Sequence, residues 1–220
     1  MNPLTILQDS LYFFKRNFAS IFMLCMPLVM LEALARLALN QATGADSATG
    51  AQLLVGLLFY PLYTGALIRF LDAKTRGETP ATADLLVATM RMWPTFAVLT
   101  ILSMLLIMAG LSLFILPGVF VMIKLVFTDC LLVLKGLGPL AAMRASVKMT
   151  EGHASRILVC MVLIYLPLSV IEGVSLYLLP EQQGALLSFA LDSMSGFVQL
   201  FISVVIFRLF MLITHPQNSA

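Results

Sequence analysis

Residues 95–134 read TFAVLTILSMLLIMAGLSLFILPGVFVMIKLVFTDCLLVL, and Lys124 and Asp129 are the only charged side chains in the run. A helix needs about 20 apolar residues to cross the hydrocarbon core of a bilayer, so this stretch is long enough for two crossings. Leu116-Pro117-Gly118 interrupts it at the middle. The Pro-Gly pair predicts a very tight turn at one membrane face, joining helices over 95–115 and 117–134 into a hairpin.

Outward from this hairpin, further apolar runs occupy residues 18–39, 51–71, 157–179 and about 185–213. The expectation is an all-α membrane protein with six transmembrane helices, the last long enough to tilt or to kink at Gly196. Composition agrees. The chain has 220 residues, 60% of them hydrophobic and 11% charged, where soluble domains carry roughly 25% charged residues. Six spans leave only short loops, so the natural reading is one polytopic membrane domain over residues 1–220. Lys15 and Arg16 ahead of an apolar run, with Ala33-Leu34-Ala35 after it, resemble a cleavable signal, but the run at 18–39 is long enough to span.

The 13 Lys and Arg residues set an orientation. Lys15, Arg16, Arg69, Lys74, Arg76, Arg91, Lys135, Arg144, Lys148 and Arg156 all flank the segments on one side, whereas residues 40–50 and 180–184 carry none. Positive residues stay on the inner side of a membrane, so both termini are predicted to be cytoplasmic. Arg69 and Arg208, near inner helix ends, can snorkel to headgroups.

Short segments opening at Asn2-Pro3, Thr79-Pro80 and Gly138-Pro139 precede the odd-numbered spans, and proline suits a first helical turn. In the first, Leu4, Leu7, Leu11, Phe14 and Phe18 recur at helical spacing opposite Gln8, Asp9, Lys15 and Arg16. The second offers Leu85, Ala88, Met92 and Trp93. The third sets Leu140, Met143 and Val147 against Arg144 and Lys148. About three amphipathic helices lying on the inner leaflet are therefore expected, with Lys15, Arg16, Arg144 and Lys148 as interfacial cations toward anionic headgroups. Residues 27–32 (PLVMLE) and 167–172 (PLSVIE) echo one another. Together these predict a threefold repeat of interfacial helix and hairpin, in units 1–76, 77–135 and 136–220.

An ion inside hydrocarbon is costly, so each should face a partner, the bundle interior or water. With cytoplasmic ends aligned, Glu32, Lys124 and Glu172 fall at comparable depth. Lys124 is expected to pair with one or both glutamates, and Arg36, one turn beyond Glu32, to offset the second negative charge. Asp129 completes this candidate polar cluster, which serves either as a static cross-link or as an ion or proton path.

Enzymatic apparatus is not evident. The two histidines, His153 and His215, lie in cytoplasmic or terminal segments, and Ser193-Met194-Ser195-Gly196 has no histidine at its depth. Cys25, Cys130 and Cys160 stand singly in apolar runs and read as buried thiols, and the 14 methionines read as packing residues. No phosphate-binding loop, dinucleotide glycine pattern or nucleic-acid patch occurs, so neither catalysis nor a cofactor is expected.

The Leu116-Pro117-Gly118 turn followed by Lys124 and Phe127, then Gly138-Pro139-Leu140 with Ala142, Ser146 and Gly152, resembles the membrane domain attached to some glycerophosphodiester phosphodiesterases, without their catalytic part. Over its whole length, including residues 13–17 (FFKRN) and 63–70 (YTGALIRF), the chain is most similar to the YciC-like family of uncharacterised bacterial inner-membrane proteins. That resemblance implies a Gram-negative inner membrane and six helices. The expected role is non-enzymatic, in envelope or lipid homeostasis, as a scaffold, a lipid-handling factor or a subunit with a membrane-protein partner or a second copy. A small-solute or ion transporter using the Lys/Glu cluster is the alternative.

Overall fold

The computed structural model describes residues 3–43, 48–178 and 185–214. All the described regular structure is helical: α1 (Pro3–Arg16), α2 (Phe18–Thr43), α3 (Ala48–Thr75), α4 (Thr82–Leu113), α5 (Ile115–Leu125), α6 (Thr128–Lys135), α7 (Pro139–Met149), α8 (Ala154–Leu178) and α9 (Ala185–Thr214). α3 is central, packing against α2, α4, α6 and α9. Small residues allow these close approaches. A Cβ on Gly65 of α3 would stand 2.6 Å from Thr89 of α4, and one on Gly196 of α9 would stand 2.9 Å from Val29 of α2. Helices in lipid associate through such contacts because tails and side chains are equally apolar. Gly196 therefore seats α9 on α2, within a helix that continues from Ala185 to Thr214.

Four helices among the described residues are long and apolar enough to cross a membrane: Phe18–Leu39, Gln52–Thr75, Thr82–Leu113 and Ile115–Lys135. A fifth arises if Pro139–Met149 and Ala154–Leu166, bent by 103° at their break, form one span. The described count is thus four or five, not the six expected. The apolar part of α9 within the described residues, Gln199–Thr214, is about 24 Å long at 1.5 Å per residue, short of a core about 30 Å thick.

Two other expectations shift. The second interfacial helix does not stand apart, because α4 runs unbroken from Thr82 to Leu113 through Pro94. The α4–α5 turn falls not at Pro117-Gly118 but at Phe114, a single extended residue (φ −165°, ψ 161°). Pro117 then sits in the first turn of α5, where its missing N–H has no partner to lose. Gly118 instead lets the two helices touch: a Cβ on Gly110 would stand 2.9 Å from the Gly118 Cα.

The amphipathic helices α1 and α7 exist, but their buried faces differ from those expected. In α1 the buried residues are Ile6, Ser10 and Phe14, while Leu11 and Phe18 are exposed. Phe14 meets Phe201 of α9 edge-on at 5.5 Å. The helix is rotated because α9 offers an aromatic seat that periodicity in α1 alone cannot reveal. In α7 the buried face is Ala142, Met143 and Ser146, whereas Leu140 is exposed.

Candidate functional site

Glu32 is 8% exposed, and Arg36 closes on it from one turn away. The Arg36 Nη2 and Nε donate to the same Glu32 oxygen at 2.6 and 3.1 Å. A notch on α3 accommodates the pair, since a Cβ on Gly56 would lie 3.2 Å from Arg36 Nη2. The two charges neutralise each other inside the bundle, as Arg36 and Glu32 at this spacing on one helix allow.

Asp129 finds a different partner. The Tyr60 hydroxyl of α3 donates to its Oδ2 at 2.9 Å, tying α6 to α3. Phe96 and Tyr63 pack against the Tyr60 ring at 6.3 and 5.8 Å, which fixes the hydroxyl's aim. Lys124 meets neither Glu32 nor Asp129 within ion-pairing distance. Its Nζ stands 5.5 Å from the centre of the Phe120 ring, one turn earlier on α5. The Glu172 side chain lies outside the described residues.

Between α5 and α6 the span is broken at Val126-Phe127, which frees backbone groups in the apolar interior. Ser146 of α7 fills the gap. Its Oγ donates to the Lys124 carbonyl at 2.7 Å and accepts from the Phe127 N–H at 3.2 Å. α7 can reach this point because Gly136 (φ +62°) turns the chain at the end of α6, and Gly138-Pro139 starts the next helix. The third amphipathic segment therefore packs against the broken span through Ser146, and its Arg144 and Lys148 stay exposed.

Lys15 and Arg16 at the end of α1 are exposed too. Arg208 of α9 approaches Asp9 of α1 at 3.6 Å, placing α1 beside the last turns of α9. The C-terminal ends of α3, α6 and α9 meet around a cleft of about 650 Å³. Arg76, Lys135 and Arg208 line it, with Leu134, Phe210 and Met211 as apolar wall. Asp72 holds Arg76 at 2.7 Å. Arg69 does not reach the headgroup side freely: it is half-buried, donates from Nη2 to Met92 Sδ at 2.8 Å, and its Nε has no partner. Sequence reasoning singled out the cations here but neither Asp72 nor the cleft, which needs three helices whose last residues, Thr75, Lys135 and Thr214, are far apart in the chain to end together.

Among the described residues, no group of three or more His, Cys, Asp or Glu side chains is placed to hold a metal. By length and composition of its helices, the chain is a multi-pass α-helical membrane protein. Among the described residues, Glu32 is paired with Arg36 inside the bundle, and Arg76, Lys135 and Arg208 gather at the cleft. No model of a known protein family matches it, and no solved structure matches it.

Proposed function

We propose that this chain is a non-enzymatic lipid-handling protein or scaffold of a bacterial inner membrane, with its basic end and both termini toward the cytoplasm. The observation that carries this reading is the gathering of Arg76, Lys135 and Arg208 at one end, around an open cleft with an apolar wall. Anionic headgroups are drawn to such cations by roughly 1 kcal/mol each. The positive-inside rule supplies the direction, and the motif resemblance to the YciC-like family is consistent with the membrane.

Transport through the Glu32, Lys124 and Glu172 level is the weaker reading. Glu32 is closed onto Arg36 against Gly56, and Asp129 is capped by Tyr60. Polar groups satisfied at short range act as ties between helices more readily than as steps for a moving ion. Mild purification followed by mass spectrometry of retained lipids tests the proposal. Specific phospholipids should survive exchange into lipid-free detergent micelles. Complete delipidation together with an ion flux in proteoliposomes that is lost in Glu32→Gln would reverse the ranking.

A further inference from the structure

Three helix C-termini converge on the 650 Å³ cleft, together with three cations. The plain role for a cation at a helix C-terminus is to offset the negative end of the helix dipole, equivalent to about half a charge. Each of α3, α6 and α9 would then use one: Arg76, Lys135 and Arg208 respectively. The carboxylates nearby complicate that assignment. Asp72 already holds Arg76 at 2.7 Å, and Asp9 draws Arg208 at 3.6 Å. Lys135 has no carboxylate partner among the described residues and is exposed at the cleft. Two cations are thus anchored in place by carboxylates, with N–H groups left over, and the third is free.

The walls add a second requirement. Leu134, Phe210, Met211 and Leu212 line the same cleft, so an occupant must present apolar surface beside its negative charge. A small phosphate ion satisfies the cations and leaves the wall wet. A phospholipid satisfies both, because its phosphate is joined through glycerol to acyl chains. The level also suits it, since Arg76 and Lys135 stand at the ends of the candidate spans Gln52–Thr75 and Ile115–Lys135, where headgroups lie.

Resting on the lipid-handling reading above, we propose that the cleft between the ends of α3, α6 and α9 binds one anionic phospholipid. Lys135 and Arg76 contact its phosphate, and Phe210 and Met211 lie along its glycerol and upper acyl chains. Arg208 assists from the α1 side while held by Asp9.

The test uses the full chain in detergent micelles, titrated with phosphatidylglycerol or phosphatidylcholine and observed by native mass spectrometry. Phosphatidylglycerol should bind tighter, and its binding should weaken as salt rises. Lys135→Gln should weaken it about 5-fold and Arg76→Gln/Lys135→Gln about 25-fold, at about one unit of headgroup attraction per cation. Arg91→Gln, on the exposed side of α4, should leave it unchanged. Dipole compensation alone predicts lower melting temperatures for the cleft variants with no change in lipid preference, which would overturn the proposal. Equal binding of the two lipids, or salt independence in the wild type, would also overturn it while leaving lipid handling intact. No retained lipid of either kind would remove both. Displacement of phosphatidylglycerol by inorganic phosphate at equal concentration would assign the cleft to a free anion. A lipid-free dimer lost in the double variant would assign it to a second copy.

Discussion

Removing the Arg36 guanidinium would leave the Glu32 carboxylate alone at a site that is 8% exposed. A buried charge that loses its partner costs more than the pair contributes, because the desolvation penalty remains while the attraction goes. Arg36→Met should therefore lower stability in detergent by about 2–3 kcal/mol, near the insertion cost of a lone ion. Glu32→Gln/Arg36→Met should recover most of that loss, and thermal unfolding of the two variants reads the difference. Equal melting temperatures for both would mean that water, not Arg36, keeps Glu32 charged. The spacing of Glu32 and Arg36 on one helix face made this pair legible in the sequence. The notch at Gly56 and the Tyr60 bond to Asp129 were not legible, since each joins separate helices and no local period marks a tertiary contact. Lys124 shows the same limit from the other side: depth alone suggested a carboxylate partner, whereas its Nζ stands over the Phe120 ring on its own helix.

Ser146 ties α7 to the broken span. Its hydroxyl serves a carbonyl and an N–H that the helix break has left open. Lipid offers no water to replace those bonds, and an unsatisfied buried polar group costs about 1–3 kcal/mol. Ser146→Ala should lower the unfolding free energy by an amount in that range, read by thermal unfolding, while Ser146→Thr, which keeps the hydroxyl, should retain most of the stability. If Ser146→Ala unfolds like wild type, backbone relaxation at Val126-Phe127 closes the gap unaided. The start of α7 was readable because Gly138-Pro139 is a strong helix opening. Its placement was not. The break it covers lies in an apolar sequence, IKLVFT over residues 123–128, with no proline or glycine to announce it. The α4–α5 turn misled for the opposite reason: Pro117-Gly118 is conspicuous, yet both residues fit the first turn of α5, and Phe114 alone makes the reversal.

Across the whole molecule, hydropathy gave the membrane class and most span limits because bilayer thickness is a constraint that every crossing helix must meet. The number of crossings was less legible, since a 103° bend between α7 and α8 turns one apolar stretch into a broken span or a re-entrant pair without changing its composition. Sidedness can be tested directly. Asp9 with Arg208, the shared cleft of α3, α6 and α9, and the crevice where His153 meets Ile6 and Ile213 put Gln8, Glu78 and Glu151 on or near the basic end, and all three are exposed. Leu113, Phe114, Ile115 and Leu116 form the opposite tip of the α4–α5 hairpin, exposed from the protein yet wholly apolar. The side chains of the tip are wholly apolar, the Phe114 N–H is bonded to the Gly110 carbonyl at 3.2 Å, and Pro117 has no N–H to satisfy, which favours a place in or against hydrocarbon. In a background lacking Cys25, Cys130 and Cys160, single cysteines at Gln8, Glu78 and Glu151 should react with a membrane-impermeant maleimide only after the cytoplasmic side is opened. Cysteine at Ile115 should stay unreactive from either side until detergent is added. Labelling of Ile115→Cys in intact cells would place the tip in outer water, and labelling of Glu78→Cys and Glu151→Cys from opposite sides would break the single basic face on which the lipid-binding proposal stands.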